Sequence, residues 1–514
     1  MQGPELLVLL TGALVVTSLA RRRGWPAPLV LVAAGLAVSF LPGVPAFELD
    51  PHLILILVLP PLLYSAALDS SYLNIRTNLQ PIGFLAVGLV LFTTLVVGAT
   101  AKLVFPDLPL AAALVLGAVV APPDAVAAVA IGRRLGLQRR AMTLLVGESL
   151  INDATALTAY KVAIAAAVGT AMHPLRGVAM FVLVTVGGIA IGLAVGVVVR
   201  FLRSSFREGA LESALGLLVP FGAYLLAEEV AHVSGVLAVV VAGLYLGYHA
   251  PRGSVTTRLQ DAAVWRSVDV LLESFVFALI GLQLPSIIGF VDLGLVLGAT
   301  AVLLAAVAAR FVWMYPAAWI PYRLSRRLRE RERPPHNGQL TVIAWAGMRG
   351  VVTLAAAAAI PEAVPGRDVI VFCAFVVTIV TLLLQGTTLP RVISKIGFEG
   401  DDARKDALAE AQVQHRAAQA AVDRLDQELD EIPEHVRAQL RALAEHRGNA
   451  AWERLGRQDD AESPAAVYRR LRRAMVKAER EEFVRARDRK EIDDEVLFRV
   501  LRELDLEEAA LSRE

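Results

Sequence analysis

Thirteen apolar runs, near residues 5–20, 26–41, 52–68, 82–105, 110–131, 141–168, 177–201, 213–230, 233–249, 267–285, 287–316, 339–361 and 367–392, dictate how this chain can fold. Each comes close to the ~20 residues a helix needs to cross a bilayer. In lipid, every backbone N–H and C=O must be paired within the protein, which restricts such runs to helices packed as a bundle. The sequence therefore reads as an all-α polytopic membrane protein of about 13 transmembrane helices. Hydrophobic residues make up 56% and charged residues 19% of the chain, which is outside the range of ordinary soluble domains.

Charge is unevenly spread. About half of the charged residues fall after residue 394, in less than a quarter of the length. Two regions with different solvents follow: a membrane domain over 1–396 and a cytoplasmic helical region over 397–514. In the second, Ala/Glu/Arg/Leu-rich periodic segments near 402–429, 433–447, 463–487 and 489–511 are separated by Pro433, Gly448-Asn449 and Ser463-Pro464. Leu440, Leu443, Val467, Leu471, Met475, Leu497, Val500, Leu501 and Leu504 are its candidate bundle or dimer contacts. The basic run Arg469-Arg470-Leu471-Arg472-Arg473 is read as a solvated helix face, with anionic lipid as the other reading. This tail is expected to be regulatory or dimer-supporting. The net charge of +1 says little about partners, and no nucleic-acid partner is expected. The single cysteine, Cys373, lies in an apolar run and excludes a disulfide within one chain. The first residues lack the basic segment of a signal peptide.

Basic residues give the orientation. Arg21, Arg22, Arg23, Arg76, Arg133, Arg134, Arg139, Arg140, Arg203, Arg207, Arg252, Arg258, Arg266 and the arginine cluster at 323–333 all fall in alternate loops. The other loops hold only Arg176 and Arg367, with Lys102 at a span end. By the positive-inside rule the N-terminus lies outside and the C-terminus in the cytoplasm, in a bacterial-type cell membrane.

Two spans are interrupted. Span 5 carries Ala121-Pro122-Pro123-Asp124, where two prolines remove two backbone donors. Seven spans later, span 12 carries Gly347-Met348-Arg349-Gly350. Broken spans at corresponding places in two halves point to a transporter built from inverted repeats, with its site at the midplane where the broken helices cross. The odd offset of seven reverses the direction of crossing, as inversion requires.

Between them lies Val146-Gly147-Glu148-Ser149-Leu150-Ile151-Asn152-Asp153-Ala154-Thr155 on span 6. At 100° per residue, Glu148, Ser149, Asn152 and Asp153 share a helix face about 140° wide. A charge near the bilayer centre costs at least ~2.5–3.5 kcal/mol, which makes such residues functional candidates. Asp153 is the leading candidate for a site shared by a proton and a monovalent cation. Ser149, Asp124 and the carbonyls around Pro123 are candidate oxygens beside it. Arg349 needs a carboxylate, from Glu148 or Glu273, and a structural ion pair with Glu148 is the expectation. Tyr64 and Ser65 on span 3, Glu228 and Glu229 on span 8, Glu273 on span 10 and Lys161, two turns beyond Asp153, are further polar groups. Of these Lys161 reads as a snorkelling span-end lysine, and Glu228, Glu229 and His232 as a wet outer funnel.

Gly147-Glu148-Ser149-Leu150-Ile151-Asn152-Asp153, Asp124, Glu273-Ser274-Phe275 with Gly281-Leu282-Gln283-Leu284, and Gly347-Met348-Arg349-Gly350 together resemble the monovalent cation:proton antiporters, most closely the NhaP-type and animal sodium/proton exchanger branch. The resemblance covers most of 1–396 and none of the tail. It implies that Asp153 carries ion and proton, with Ser149, Asp124 and the Pro123 carbonyl around Na+. It further implies that Asn152 holds the site, that Glu148 pairs with Arg349, and that a homodimer forms through a dimerisation part packed against a mobile core. The chain departs from the family at Pro123-Asp124-Ala125, where a hydroxyl residue usually precedes the acid, and near Ser65, where span 3 often carries a glutamate.

The expected function is exchange of Na+ or Li+ for H+ by alternating access, electroneutral at 1:1 because the opening pair is Asn-Asp with one acid. The alternatives are K+/H+ exchange at the same site and, from another class, a membrane receptor or scaffold. No enzyme activity and no cofactor beyond the transported ions is expected.

Overall fold

The computed structural model describes residues 3–41, 54–169, 174–206, 208–282, 292–331, 334, 336–396, 401–427, 433–455, 464–489, 491 and 494–511. Gln283 and Leu284 of the family-like stretch lie outside these. Among the described residues the regular structure is helical, with no strand. The chain divides into two compact units, Met1–Phe398 and Glu399–Glu514.

In the first unit the described helices of eight or more residues are α1 (Gly3–Arg22), α2 (Ala27–Ser39), α3 (Leu59–Leu68), α4 (Leu79–Val104), α5 (Leu110–Val120), α6 (Ala125–Arg134), α7 (Arg139–Ala167), α8 (Pro174–Ser205), α9 (Gly209–Val230), α10 (Gly235–His249), α11 (Val255–Leu282), α12 (Leu293–Leu324), α13 (Asn337–Trp345), α14 (Val351–Ala358) and α15 (Arg367–Ile396). Six are long and apolar enough to cross a membrane: α1, α4, α8, α9, α12 and α15. Among the shorter helices, α2, α3 and α5 are apolar. At 29 and 28 residues, α7 and α11 have the length, but their sequences carry Glu148 and Asp153, and Asp269 and Glu273. α7 and α11 thus combine the length of a membrane span with buried or half-buried acids.

Three apolar clusters hold the unit together. One joins Val32 of α2, Phe277 of α11, Met314 of α12, Ile343 of α13 and Leu382 of α15. A second joins α4, α5, α12 and α15 through Val97, Leu116, Val302 and Ile370. The third joins α3, α9, α10 and α11 through Leu63, Val219, Val239 and Trp265. Both α4 and α7 contribute to all three, α7 through Leu145, Tyr160 and Leu150. The helix with the Asn-Asp pair is therefore gripped from three sides. Lipid supplies no hydrophobic drive for helix association, so close backbone approach matters. A Cβ at Gly35 would lie 2.5 Å from the Ala278 carbonyl oxygen, and one at Gly117 would lie 2.2 Å from that of Thr94.

The second unit is made of α16 (Asp401–Asp426), α17 (Glu434–Leu455), α18 (Pro464–Asp488) and α19 (Asp494–Leu511), with α16 packed on α17 and α18 on α19. Gly448-Asn449 does not end a helix: α17 continues to Leu455, and a Cβ at Gly448 would sit 3.0 Å from Ala418, so the glycine serves the approach of α16. Leu497 and Leu504 are buried, whereas Leu440, Leu443, Leu471 and Met475 are exposed. In the basic run Arg472 is engaged in ion pairs, gripping Glu507 at 2.6 and 2.8 Å and Glu479 at 2.9 Å, and beyond the run Arg480 holds Asp505 at 2.8 Å.

Candidate functional site

The prolines act as expected. α5 stops at Val120, Asp124 is extended (φ −93°, ψ 117°), and α6 starts at Ala125. On the other side α13 stops at Trp345 and α14 starts at Val351. The two breaks are joined directly, because the Asp124 N–H donates to the Met348 carbonyl at 2.6 Å.

Two broken helices leave four half-helix ends with unpaired backbone groups in a water-poor place. Two side chains of opposite charge meet them. Asp124 caps α6, its Oδ1 accepting from the Val126 N–H at 2.8 Å, and its carboxylate also accepts from the Val351 N–H at the start of α14. A negative group is favoured at both N-termini by the helix dipoles. Arg349 serves the other two ends. Its Nε donates to the Val120 carbonyl at 3.0 Å, one terminal nitrogen donates to the Gly347 carbonyl, and the other reaches the Ala306 carbonyl at 3.4 Å. The Arg349 N–H donates to Thr381 Oγ1 at 3.0 Å.

The expected Glu148–Arg349 pair is corrected by this geometry. Glu148 is gripped by Arg310 of α12, in a two-pronged ion pair of 2.5 and 2.8 Å, and both side chains are at most 3% exposed. Arg310 also donates to the Ile343 carbonyl at 3.1 and 3.2 Å. Among the described residues no carboxylate contacts Arg349, and the helix breaks free enough carbonyl oxygens to satisfy its guanidinium. The glycines of the motif are steric requirements. A Cβ at Gly347 would lie 2.4 Å from Arg310 Cδ, and one at Gly350 would lie 1.7 Å from Asp124 Oδ2.

Against this crossing α7 places its polar face. Asn152 is fully buried, and its Nδ2 donates to the Pro123 carbonyl at 2.8 Å, which fixes α7 to the break in the α5–α6 pair. Asn152 Oδ1 is buried without a hydrogen-bond partner among the described residues, at a cost of about 1–3 kcal/mol for an unsatisfied acceptor. Asp153 is 6% exposed, and the Asp124 charge is the one that bears on it. Ser149, half-buried, lies one turn earlier on the same face. Asp153, Asn152, Asp124 and Pro123 are thus gathered at one crossing.

The remaining sequence-selected residues lie elsewhere. Ser65 donates to Asp269 Oδ2 at 2.6 Å, and Glu273 follows Asp269 by one turn on α11, within reach of the charges of Asp269, Asp124 and Arg21. Glu273 is therefore no partner for Arg349. Lys161 forms an ion pair with Glu228, while Glu229 is exposed. Sequence reasoning missed Arg310 and Asp269. Both carried the signal of a charge inside an apolar run, but each lies near the end of its run and reads as a span terminus.

A buried oxygen cluster where two broken apolar helices meet is the kind of site an ion transporter builds inside a membrane. The family model described as "Sodium/hydrogen exchanger, transmembrane" matches residues 7–395, and the chain belongs to that family. An uncharacterized Na+/H+ exchanger of Mycobacterium tuberculosis strain H37Rv is 35% identical over 99% of this chain and 96% of its own. The Na+/H+ antiporter ApNhaP of Aphanothece halophytica is 32% identical over 85% of this chain and 82% of its own. A sodium, potassium, lithium and rubidium/H+ antiporter of Bacillus subtilis is 30% identical over 91% and 72%. The fold is similar to that of the sodium proton antiporter MjNhaP1 from Methanocaldococcus jannaschii at TM-score 0.61 and 17% identity, over 76% of this chain and 98% of that one. The chain is an integral membrane protein of a monovalent cation/proton antiporter family, a transporter and not an enzyme.

Proposed function

We propose that this chain exchanges Na+ or Li+ for H+, one for one and without net charge movement, with Asp153 as the shared site. The observation that carries the reading is the setting of Asp153: a 94%-buried carboxylate with no ion pair among the described residues, one residue from an amide tied to the Pro123 carbonyl and carrying an orphaned acceptor. An empty charged carboxylate there is trapped by its desolvation cost, whereas one neutralised by a proton or by a cation can cross the barrier. Oxygen donors suit a hard cation, and Ser149, Asn152 Oδ1, Asp124 and the Pro123 carbonyl supply them. Asp124 is engaged with two backbone N–H groups and Glu148 with Arg310, which leaves Asp153 as the acid free to exchange. That supports the 1:1 stoichiometry.

In this reading about thirteen spans in two inverted repeats run from an outer N-terminus to a cytoplasmic C-terminus in a homodimer. The core around α4–α7 and α12–α15 moves against the dimerisation part, and the unit beyond residue 397 regulates transport or supports the dimer. The Bacillus subtilis relative, whose name includes potassium, gives K+/H+ exchange at the same site as the second reading. Dequenching of a pH dye in acid-loaded everted vesicles, with Na+, Li+ and K+ added separately, tests both. Na+ and Li+ responses without a K+ response are expected. A response to K+ alone would replace the first reading by the second, and no response to any of the three would remove both.

A further inference from the structure

The ion pair between Lys161 and Glu228 has no part in the site. Lys161 lies eight residues beyond Asp153, about 12 Å along α7 at 1.5 Å per residue, toward the end away from Arg139 and Arg140. Glu228 lies in the last turn of α9, a π-helical segment Leu226–Val230. The backbone there is closely constrained. His232 adopts a left-handed conformation (φ 53°), the Val233 N–H donates to the Ala227 carbonyl at 2.8 Å, and Ser234 caps α10. The second oxygen of Glu228 accepts from the Gly235 N–H at 3.3 Å. One oxygen is thus anchored to the α9–α10 hairpin while the other takes the lysine.

The two residues sit on helices whose main packing neighbours differ, although both helices also reach the third apolar cluster. α7 packs chiefly on α4 and α5, with lesser contacts to α10, α8 and α3, whereas α9 packs chiefly on α10, α8 and α11. A long lysine side chain reaches from α7 to α9 at the end of the ion path opposite the arginine-rich loops. The side chains are 51% and 24% exposed, and a partly exposed pair of this kind is weak. A weak pair suits a contact that must break at every turnover. It contrasts with Glu148–Arg310, which is buried and unsuited to repeated opening.

We infer that Lys161 and Glu228 form a latch that holds the outer face of the transport path closed, breaking when the core swings to expose Asp153 outward and re-forming on return. This rests on the alternating-access reading above. The test is made in proteoliposomes with full-length protein carrying Lys161→Cys and Glu228→Cys, with the buried Cys373 replaced by serine. A reducible bis-methanethiosulfonate linker is used, and linking is scored by peptide mass spectrometry. Linking is expected to reduce Na+-driven H+ movement at least about tenfold, since a locked gate stops the cycle, and dithiothreitol is expected to restore it. Full linking with unchanged exchange, or failure of the two cysteines to link, would overturn the latch. A second variant does not depend on cysteines. Lys161→Gln is expected to keep exchange while lowering the external Na+ needed for half-maximal rate about threefold, the shift a weak lost pair gives. An unchanged or raised requirement counts against the latch. Absence of exchange in the unsubstituted protein would instead refute the antiport reading on which the latch rests.

Discussion

At the scale of single residues, the expense of charge in lipid made Asp153, Asn152, Asp124, Glu148 and Arg349 visible in the sequence, because each stands in an apolar run where only function or tight pairing justifies it. The pairing itself was not legible. Glu148 and Arg310 are 162 residues apart, and whether Glu148 meets Arg310 or Arg349 depends on how α12 lies against the crossing. Arg310→Ala is expected to strand the buried Glu148 at a cost of about 3–5 kcal/mol, seen as a loss of thermal stability in detergent. Adding Glu148→Ala should recover part of the loss. Arg349→Ala should not be rescued by Glu148→Ala, since its partners are carbonyl oxygens at half-helix ends. Rescue of Arg349→Ala by Glu148→Ala, with none for Arg310→Ala, would reverse the assignment.

At the scale of elements, the breaks were legible because Pro122-Pro123 and the Gly347/Gly350 motif cannot continue a regular helix in the usual way. Their division of labour was not, because it depends on which neighbour approaches each glycine. Gly347 admits Arg310 and Gly350 admits Asp124. Gly350→Ala would set a Cβ 1.7 Å from Oδ2 of Asp124, whose carboxylate is held in place by backbone N–H groups, so it is expected to abolish exchange and lower thermal stability. An active Gly350→Ala protein would mean that Asp124 does not occupy the crossing during transport. In the tail, periodicity gave helices but misplaced a boundary. Gly448-Asn449 lies inside α17 because packing against α16 outweighs the weak helix propensity of glycine.

At the scale of the molecule, hydropathy separates a membrane part from a charged helical tail, and the structure divides at Phe398 into two compact units. The oxygen cluster, the crossing and the ion pairs around it lie entirely in the first unit. A protein ending after Gly397 is therefore expected to exchange cations for protons, and comparing its pH profile with that of the full chain measures what the tail does. Loss of exchange with the membrane unit still folded would make the tail part of the transport machinery. The central claim is that Asp153 alone carries cation and proton in turn. It is tested most directly by Na+-driven H+ movement in proteoliposomes, with voltage clamped by K+ and valinomycin, for the unsubstituted protein against Asp153→Asn. Exchange insensitive to the imposed voltage and lost in Asp153→Asn, with the variant still folded, is the predicted result. Exchange retained in Asp153→Asn would contradict the account.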